Sequence, residues 1–265
     1  FTTATLRFTG AACALVIWAL LMEKPLRLRT AQLRPLLIIG LLFFSQLTCF
    51  YLGLSMTTAS HGTLLANLLP FVVMVLAHLF IPGESITARN LSGIMLGFVG
   101  VIILLFDDIG LSGGPVFWGD LCIIGAVCVW GCNAVYTKRI IKDFHPLQIT
   151  LYPMLVAVPL FLACALFFDE TMIRQLSPSI VAALFYQAFV TGSFGLIAWI
   201  TMVRRYGATP LHSFVFVMPI SGVFLGIVLL GEPFTLNLLG AIVFVTSGLI
   251  VINRPGRARA VAIDQ

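Results

Sequence analysis

Charge is what this sequence has least of. Of its 265 residues only 9% are Asp, Glu, Lys or Arg, while 60% are hydrophobic and the mean hydropathy is +1.09. Soluble domains average about 25% charged residues, so this chain could not cover a surface in water. Long polar stretches are missing as well, which leaves no room for an inserted soluble domain. There is no His-Glu-x-x-His and no phosphate-binding glycine loop, which excludes the common zinc peptidases and nucleotide-hydrolysing modules. The six cysteines, Cys13, Cys49, Cys122, Cys128, Cys132 and Cys164, all lie in apolar runs. Cys128 and Cys132 share a helix face, yet no His or Cys joins them at metal-ligand spacing, so neither a metal nor a cofactor is expected. The thiols read as small buried hydrophobes. No basic segment precedes a short apolar core, so nothing resembles a cleaved signal peptide.

What the chain does have is long apolar runs. Nine of them, roughly 4–22, 34–54, 60–81, 89–106, 115–139, 146–168, 178–202, 209–231 and 236–252, reach or approach bilayer-spanning length. They are too continuous and too rich in glycine for barrel strands, and helices satisfy their own backbone in lipid. The expected fold is an all-α integral membrane protein with the lipid bilayer as its main partner. Net charge is +5 with a pI near 9.1, but this excess is not a nucleic-acid surface. If the first loop is cytoplasmic, all fifteen basic residues except Arg7 and Arg174 fall on that side. Asp107, Asp108, Asp169, Glu170 and Glu232 fall on the other. The positive-inside rule then places the C-terminus in the cytoplasm and Phe1 at the outer face of the plasma (inner) membrane.

The runs repeat. Pro70 lies fourteen residues before Glu84 and Gly93 nine after it, while Pro219 lies thirteen before Glu232 and Gly240 eight after it. "GESITARNLSGIMLGFVGVIILL" and "GEPFTLNLLGAIVFVTSGLIVI" read as two copies of one unit. They begin five spans apart, and an odd separation inverts the second copy. Inverted repeats are the architecture of many secondary transporters. The expected division is a first repeat at 1–106, an outer connecting loop at 107–114, a second repeat at 115–253 and a cytoplasmic tail at 254–265. The second repeat then has five spans and the first only four, so a ten-helix 5+5 bundle lacking its first helix is expected.

Those residues carry a resemblance. "TLRFTGAACALV", "TTASHGTLLANLLP" running to "GES", "GDLCIIGAVCVWGCNAVYTKR" and "FVMPISGVFLGIVLLGEPFTLNLLGAIVFVTSGLIVI" make the chain similar to the drug/metabolite transporter superfamily, in its EamA-domain branch. The resemblance spans nearly the whole chain. It implies an inner-membrane exporter of amino acids or other small metabolites, with a central cavity between two five-helix repeats.

Polar groups within spans are costly and mark candidate sites. Arg7 would bind a substrate carboxylate, pair with a helix end, or snorkel to the headgroups. Asn67 and Pro70 share a helix face near the bilayer middle, where Pro70 frees the Ala66 carbonyl and bends the helix. Asn67 would satisfy that backbone or meet cargo. His61 is either a cavity residue suited to proton coupling or a helix-start residue at the interface. Pro219 is the second expected bend, with His212 and Ser213 two turns earlier. Trp130, Asn133 and Tyr136 recur every third residue and would form an aromatic and amide stripe in a cavity; Tyr136 fits the interfacial aromatic belt equally well. Gln187, Trp199, Tyr186 and Gln46 are weaker candidates of this kind, and Asp120 reads as an interfacial cap or a coupling site. Gly93-xxx-Gly97 and Gly222-xxx-Gly226 suit close helix packing, within or between chains, so homo-oligomerisation stays open.

The reading is a secondary transporter for a small-molecule substrate, most of all an amino acid, driven by a proton or substrate gradient. A carrier of sugar phosphates or nucleotide sugars would need several intramembrane cations, and only Arg7 qualifies. An intramembrane serine hydrolase would use Ser112 of "GLSGG", but that serine sits in a glycine-rich loop. A structural or assembly role is the remaining alternative.

Overall fold

The computed structural model describes residues 1–23, 26–109, 114–169, 177–195, 198, 202 and 217–253. Everything regular among them is helical. The helices are α1 (Thr2–Leu21), α2 (Thr30–Leu54), α3 (Ala59–Ala66), α4 (Leu69–Phe80), α5 (Ala88–Ile109), α6 (Pro115–Ile140), α7 (Pro146–Phe168), α8 (Pro178–Phe185), α9 (Val217–Leu230) and α10 (Leu236–Asn253). A 3₁₀ turn, Ile141–Asp143, follows α6, and α8 widens into π-helical turns over Tyr186–Gly195. Seven of the described helical segments are long and apolar enough to cross a membrane, with α3 and α4 counting together, and α9 is a shorter apolar helix. The expected spans 178–202 and 209–231 fall partly outside the described residues, as do Trp199, His212, Ser213, Arg174, Ser112 and the tail. α5 runs on through Asp107 and Asp108 to Ile109, two residues that the composition assigns to a connecting loop.

The chain forms two compact units. Phe1–Thr48 and Tyr136–Arg205 make the first, and Cys49–Val135 and Tyr206–Gln265 the second. In the first, α1 buries Ala4, Phe8, Ala11, Leu15 and Ala19, a single stripe at helical spacing. That stripe lies on α7 and on the π-helical turns. Phe8 stacks on Phe161 with ring centroids 5.8 Å apart, and Phe43 and Phe44 close the cluster. Small residues let α1 approach the π-helical turns, where the Ser193 hydroxyl donates to the carbonyls of Ala188 and Ala11. The unit is tied at both ends. Asp169 accepts from the N–H and the hydroxyl of Thr2, each at 2.8 Å. At the opposite end Gln148 and Tyr152 of α7 donate to the carbonyls of Arg27 and Leu26.

In the second unit α5 runs along α10. The crossing rests on glycine: a Cβ on Gly93 would lie 2.9 Å from the Gly248 carbonyl oxygen, and one on Gly248 2.6 Å from that of Gly93. Gly222 faces Thr63 of α3 in the same unit. Both glycine pairs singled out in the sequence therefore pack within the chain, which settles that part of the open choice. Phe71, Leu104, Val127, Val223 and Leu249 belong to the core around this crossing.

The cysteines correct one expectation. None is buried: Cys13, Cys128 and Cys132 are exposed, and Cys49, Cys122 and Cys164 are half-buried. A lipid solvent gives no reason to hide a weakly polar thiol, so the burial rule learned from soluble cores does not transfer. The same physics accounts for Leu20, Phe167, Leu229 and Leu236 on the surface.

Candidate functional site

The polar residues of the second unit gather at the start of α3. Gly53 of α2 and Gly119 of α6 make the approach possible, since a Cβ on either would lie within 2.8 Å of the other's carbonyl oxygen. That crossing brings Thr57 against Asp120, which neighbours Gly119. The Thr57 hydroxyl donates to Asp120 Oδ1 at 2.6 Å, and His61 Nδ1 lies 2.8 Å from Asp120 Oδ2. Asp120 is fully buried and the His61 side chain only 13% exposed. A buried carboxylate without partners would be strongly destabilising, and here a hydroxyl and an imidazole satisfy it.

A second carboxylate closes the same helix end. Gly231, with φ +68°, caps α9 in the left-handed conformation and turns the chain back. Glu232 then accepts from the N–H of Ala59 at 2.6 Å, the N–H of Ser60 at 2.9 Å, and the Ser60 hydroxyl. The Thr58 side chain caps the His61 N–H, so the first turn of α3 has partners for its free donors. Burial pushes the Glu232 carboxyl up, but the Ser60 and Ala59 hydrogen bonds outweigh it, with His61 helping, and hold it below the usual glutamate range. Gly226 leaves the space: a Cβ there would come within 2.7 Å of Ser60 Oγ and Glu232 Oε2.

Half a span further on, the helix breaks. α3 ends at Ala66 and α4 begins at Leu69, with Pro70 in its first turn. Asn67 donates from both its N–H and its Nδ2 to the Thr63 carbonyl, and Leu68 and Phe71 close tight i→i+3 turns across the junction. Asn67 is buried. At the far end of α4, Ile81-Pro82-Gly83-Glu84 forms a type II turn, with Gly83 at φ +88° and the Glu84 N–H donating to Ile81.

The other candidates are scattered. On α6, Asn133 is buried while Trp130 is 40% exposed and Tyr136 half-buried, so the expected stripe turns different faces to different surroundings. Pro219 is buried in the first turn of α9. In the first unit Arg7 is half-buried with its guanidinium 5.1 Å from the Phe8 ring centroid, and Gln187 is half-buried in the π-helical turns. The sequence reading named His61, Asp120 and Glu232 separately and did not foresee Thr57 and Ser60. One signal was available: the charge rule puts all three ionisable groups at the same membrane face.

A helical chain with seven described membrane-length segments, one of them broken at mid-span, is a multi-pass membrane protein. The model of the EamA-like transporter family matches residues 1–106 and 117–254, and the chain belongs to that family. It is 25% identical over 232 residues to "Uncharacterized transporter YyaM" of Bacillus subtilis (strain 168), covering 82% of this chain and 73% of that protein. With "Uncharacterized transporter YetK" of the same strain it shares 29% identity over 261 residues, 95% of this chain and 77% of the relative. A "Probable amino-acid metabolite efflux pump" of Escherichia coli (strain K12) is 28% identical over 186 residues, 66% of this chain and 61% of that protein. One crystal structure superposes with a TM-score of 0.68 at 19% identity, over 96% of this chain and 88% of the other, which shows the fold. The protein is therefore a membrane transporter acting on a small molecule, and its family is one of transporters rather than enzymes.

Proposed function

We propose that this protein exports small organic metabolites, amino acids above all, across the plasma membrane by alternating access. The observation that carries the reading is the helix broken at mid-span between Ala66 and Leu69. Transporters place cargo where helices are interrupted, because backbone groups freed there can be lent to a ligand. The two matched family segments support a pair of repeats, 1–106 and 115–253, with the second inverted. The relatives called amino-acid metabolite efflux pumps support the cargo class. Asn67 and Asn133 supply polar contacts to the cargo in the second unit, with Trp130 offering an aromatic surface. Arg7 and Gln187 serve in the first unit, and Pro70 and Pro219 mark the bends. With no nucleotide-hydrolysing motif, the driving force is a proton or substrate gradient.

The test is counterflow in proteoliposomes loaded with unlabelled amino acids and supplied with a mixture of radiolabelled ones. Uptake of label above that of empty liposomes is expected. Asn133→Ala is expected to cut it about tenfold, equivalent to about 1.4 kcal/mol on the limiting step. If no amino acid or related metabolite moves under any imposed gradient, the proposal is wrong.

A further inference from the structure

The start of α3 is held by two carboxylates that come from different elements. Asp120 of α6 reaches it through His61 and Thr57, and Glu232 of the α9–α10 turn through Ala59 and Ser60. Asp120 contacts the His61 ring directly, and Glu232 binds the two residues that precede His61. With a proton on the imidazole, the buried Asp120 has a countercharge. Without it, Asp120 is an anion removed from water with no countercharge on the ring, and that cost works against the hold on α3. The break at Asn67–Leu68 separates α3 from α4 only two turns away.

We infer that the His61–Asp120 pair is the proton-binding site of the transport cycle, and that its proton locks the start of α3 to α6 at the outer face. The inference rests on the exporter reading for the cycle and on the charge rule for the face. A proton enters from outer water, binds the imidazole–carboxylate pair, and is released from the same pair to water on the cytoplasmic side when α3 swings about the break. No bond other than the one to that proton forms or breaks. Histidine is suited to the work because an imidazole ordinarily titrates close to physiological pH. Thr57 is a positioning residue, which fixes Asp120 Oδ1 so that Oδ2 points at the ring.

The measurement is amide hydrogen exchange of residues 57–66 in the intact protein in nanodiscs, between about pH 5 and about pH 8, corrected for the intrinsic pH dependence of exchange. In the wild type, protection of this segment is expected to fall about tenfold or more as pH rises, while α5 and α10 stay unchanged. Asp120→Asn and His61→Gln are each expected to flatten that dependence. His61→Gln keeps a donor for Asp120 but cannot titrate, so it decides the matter even where Asp120→Asn fails to fold. Protection independent of pH in the wild type overturns the inference, as does an undiminished pH dependence in His61→Gln. The readout needs no cargo: failed amino-acid counterflow beside a pH-dependent α3 removes the cargo reading and leaves the proton site.

Discussion

At the scale of single residues, the second unit is organised by carboxylates that bind helix starts. Glu232 accepts from the N–H groups of Ala59 and Ser60, which lack partners within α3, and meets the positive end of that helix's dipole. Its carboxyl is held below the usual range in the folded protein, so its stabilisation is complete above the ordinary glutamate range. It is lost as the pH falls through the folded value. Unfolding temperature measured in detergent should therefore drop once the pH falls below the ordinary glutamate range, and Glu232→Gln should lose part of that dependence. Glu232→Ala should cost about 1–3 kcal/mol, the worth of charge-assisted bonds at a helix cap. Gly226→Ala offers a second check: the added methyl would press on Ser60 Oγ and Glu232 Oε2, so circular-dichroism melts should show destabilisation of similar size. Little of this was legible in the sequence. Hydropathy and charge put His61, Asp120 and Glu232 at one membrane face, but which carboxylate meets which partner depends on where α2 crosses α6.

At the scale of elements, the broken helix and the glycine crossing do opposite things. Pro70 withholds a backbone donor and keeps α3 and α4 apart. Pro70→Ala restores an N–H and favours one continuous helix, so it is expected to raise the unfolding midpoint. It should also slow transport about tenfold, a barrier change of about 1.4 kcal/mol. An unchanged transport rate with a raised midpoint would show that the break has no part in the cycle. The α5–α10 crossing has no such slack. The Gly93 and Gly248 backbones touch, and Gly248→Val should cost about 1–3 kcal/mol or more through overpacking, visible as early thermal unfolding or loss of folded protein on size exclusion. The break at Pro70 was readable from the sequence because proline chemistry is local. The partner of Gly93 was not, since glycine spacing says that something comes close without saying what.

At the scale of the whole molecule, the bilayer sets the terms. Large apolar side chains such as Phe167 and Leu236 stay exposed, which only a lipid solvent tolerates over so much surface. Basic residues concentrate in alternate loops, so a fluorescent protein fused after Gln265 should light up in the cytoplasm, and an alkaline phosphatase fused there should stay inactive. The reverse pattern would invert the orientation and move the α3 carboxylate cluster to the inner face. The sequence by itself determined the solvent, the helical class and the order of the apolar runs, because hydropathy and proline act over short stretches of chain. Tertiary structure alone decided that Asp120 pairs with His61, that Glu232 caps α3, and that the paired glycines pack within one chain. The reason is physical: each of these depends on distances between residues 59 to 173 positions apart, which are set by how glycine-lined helices cross.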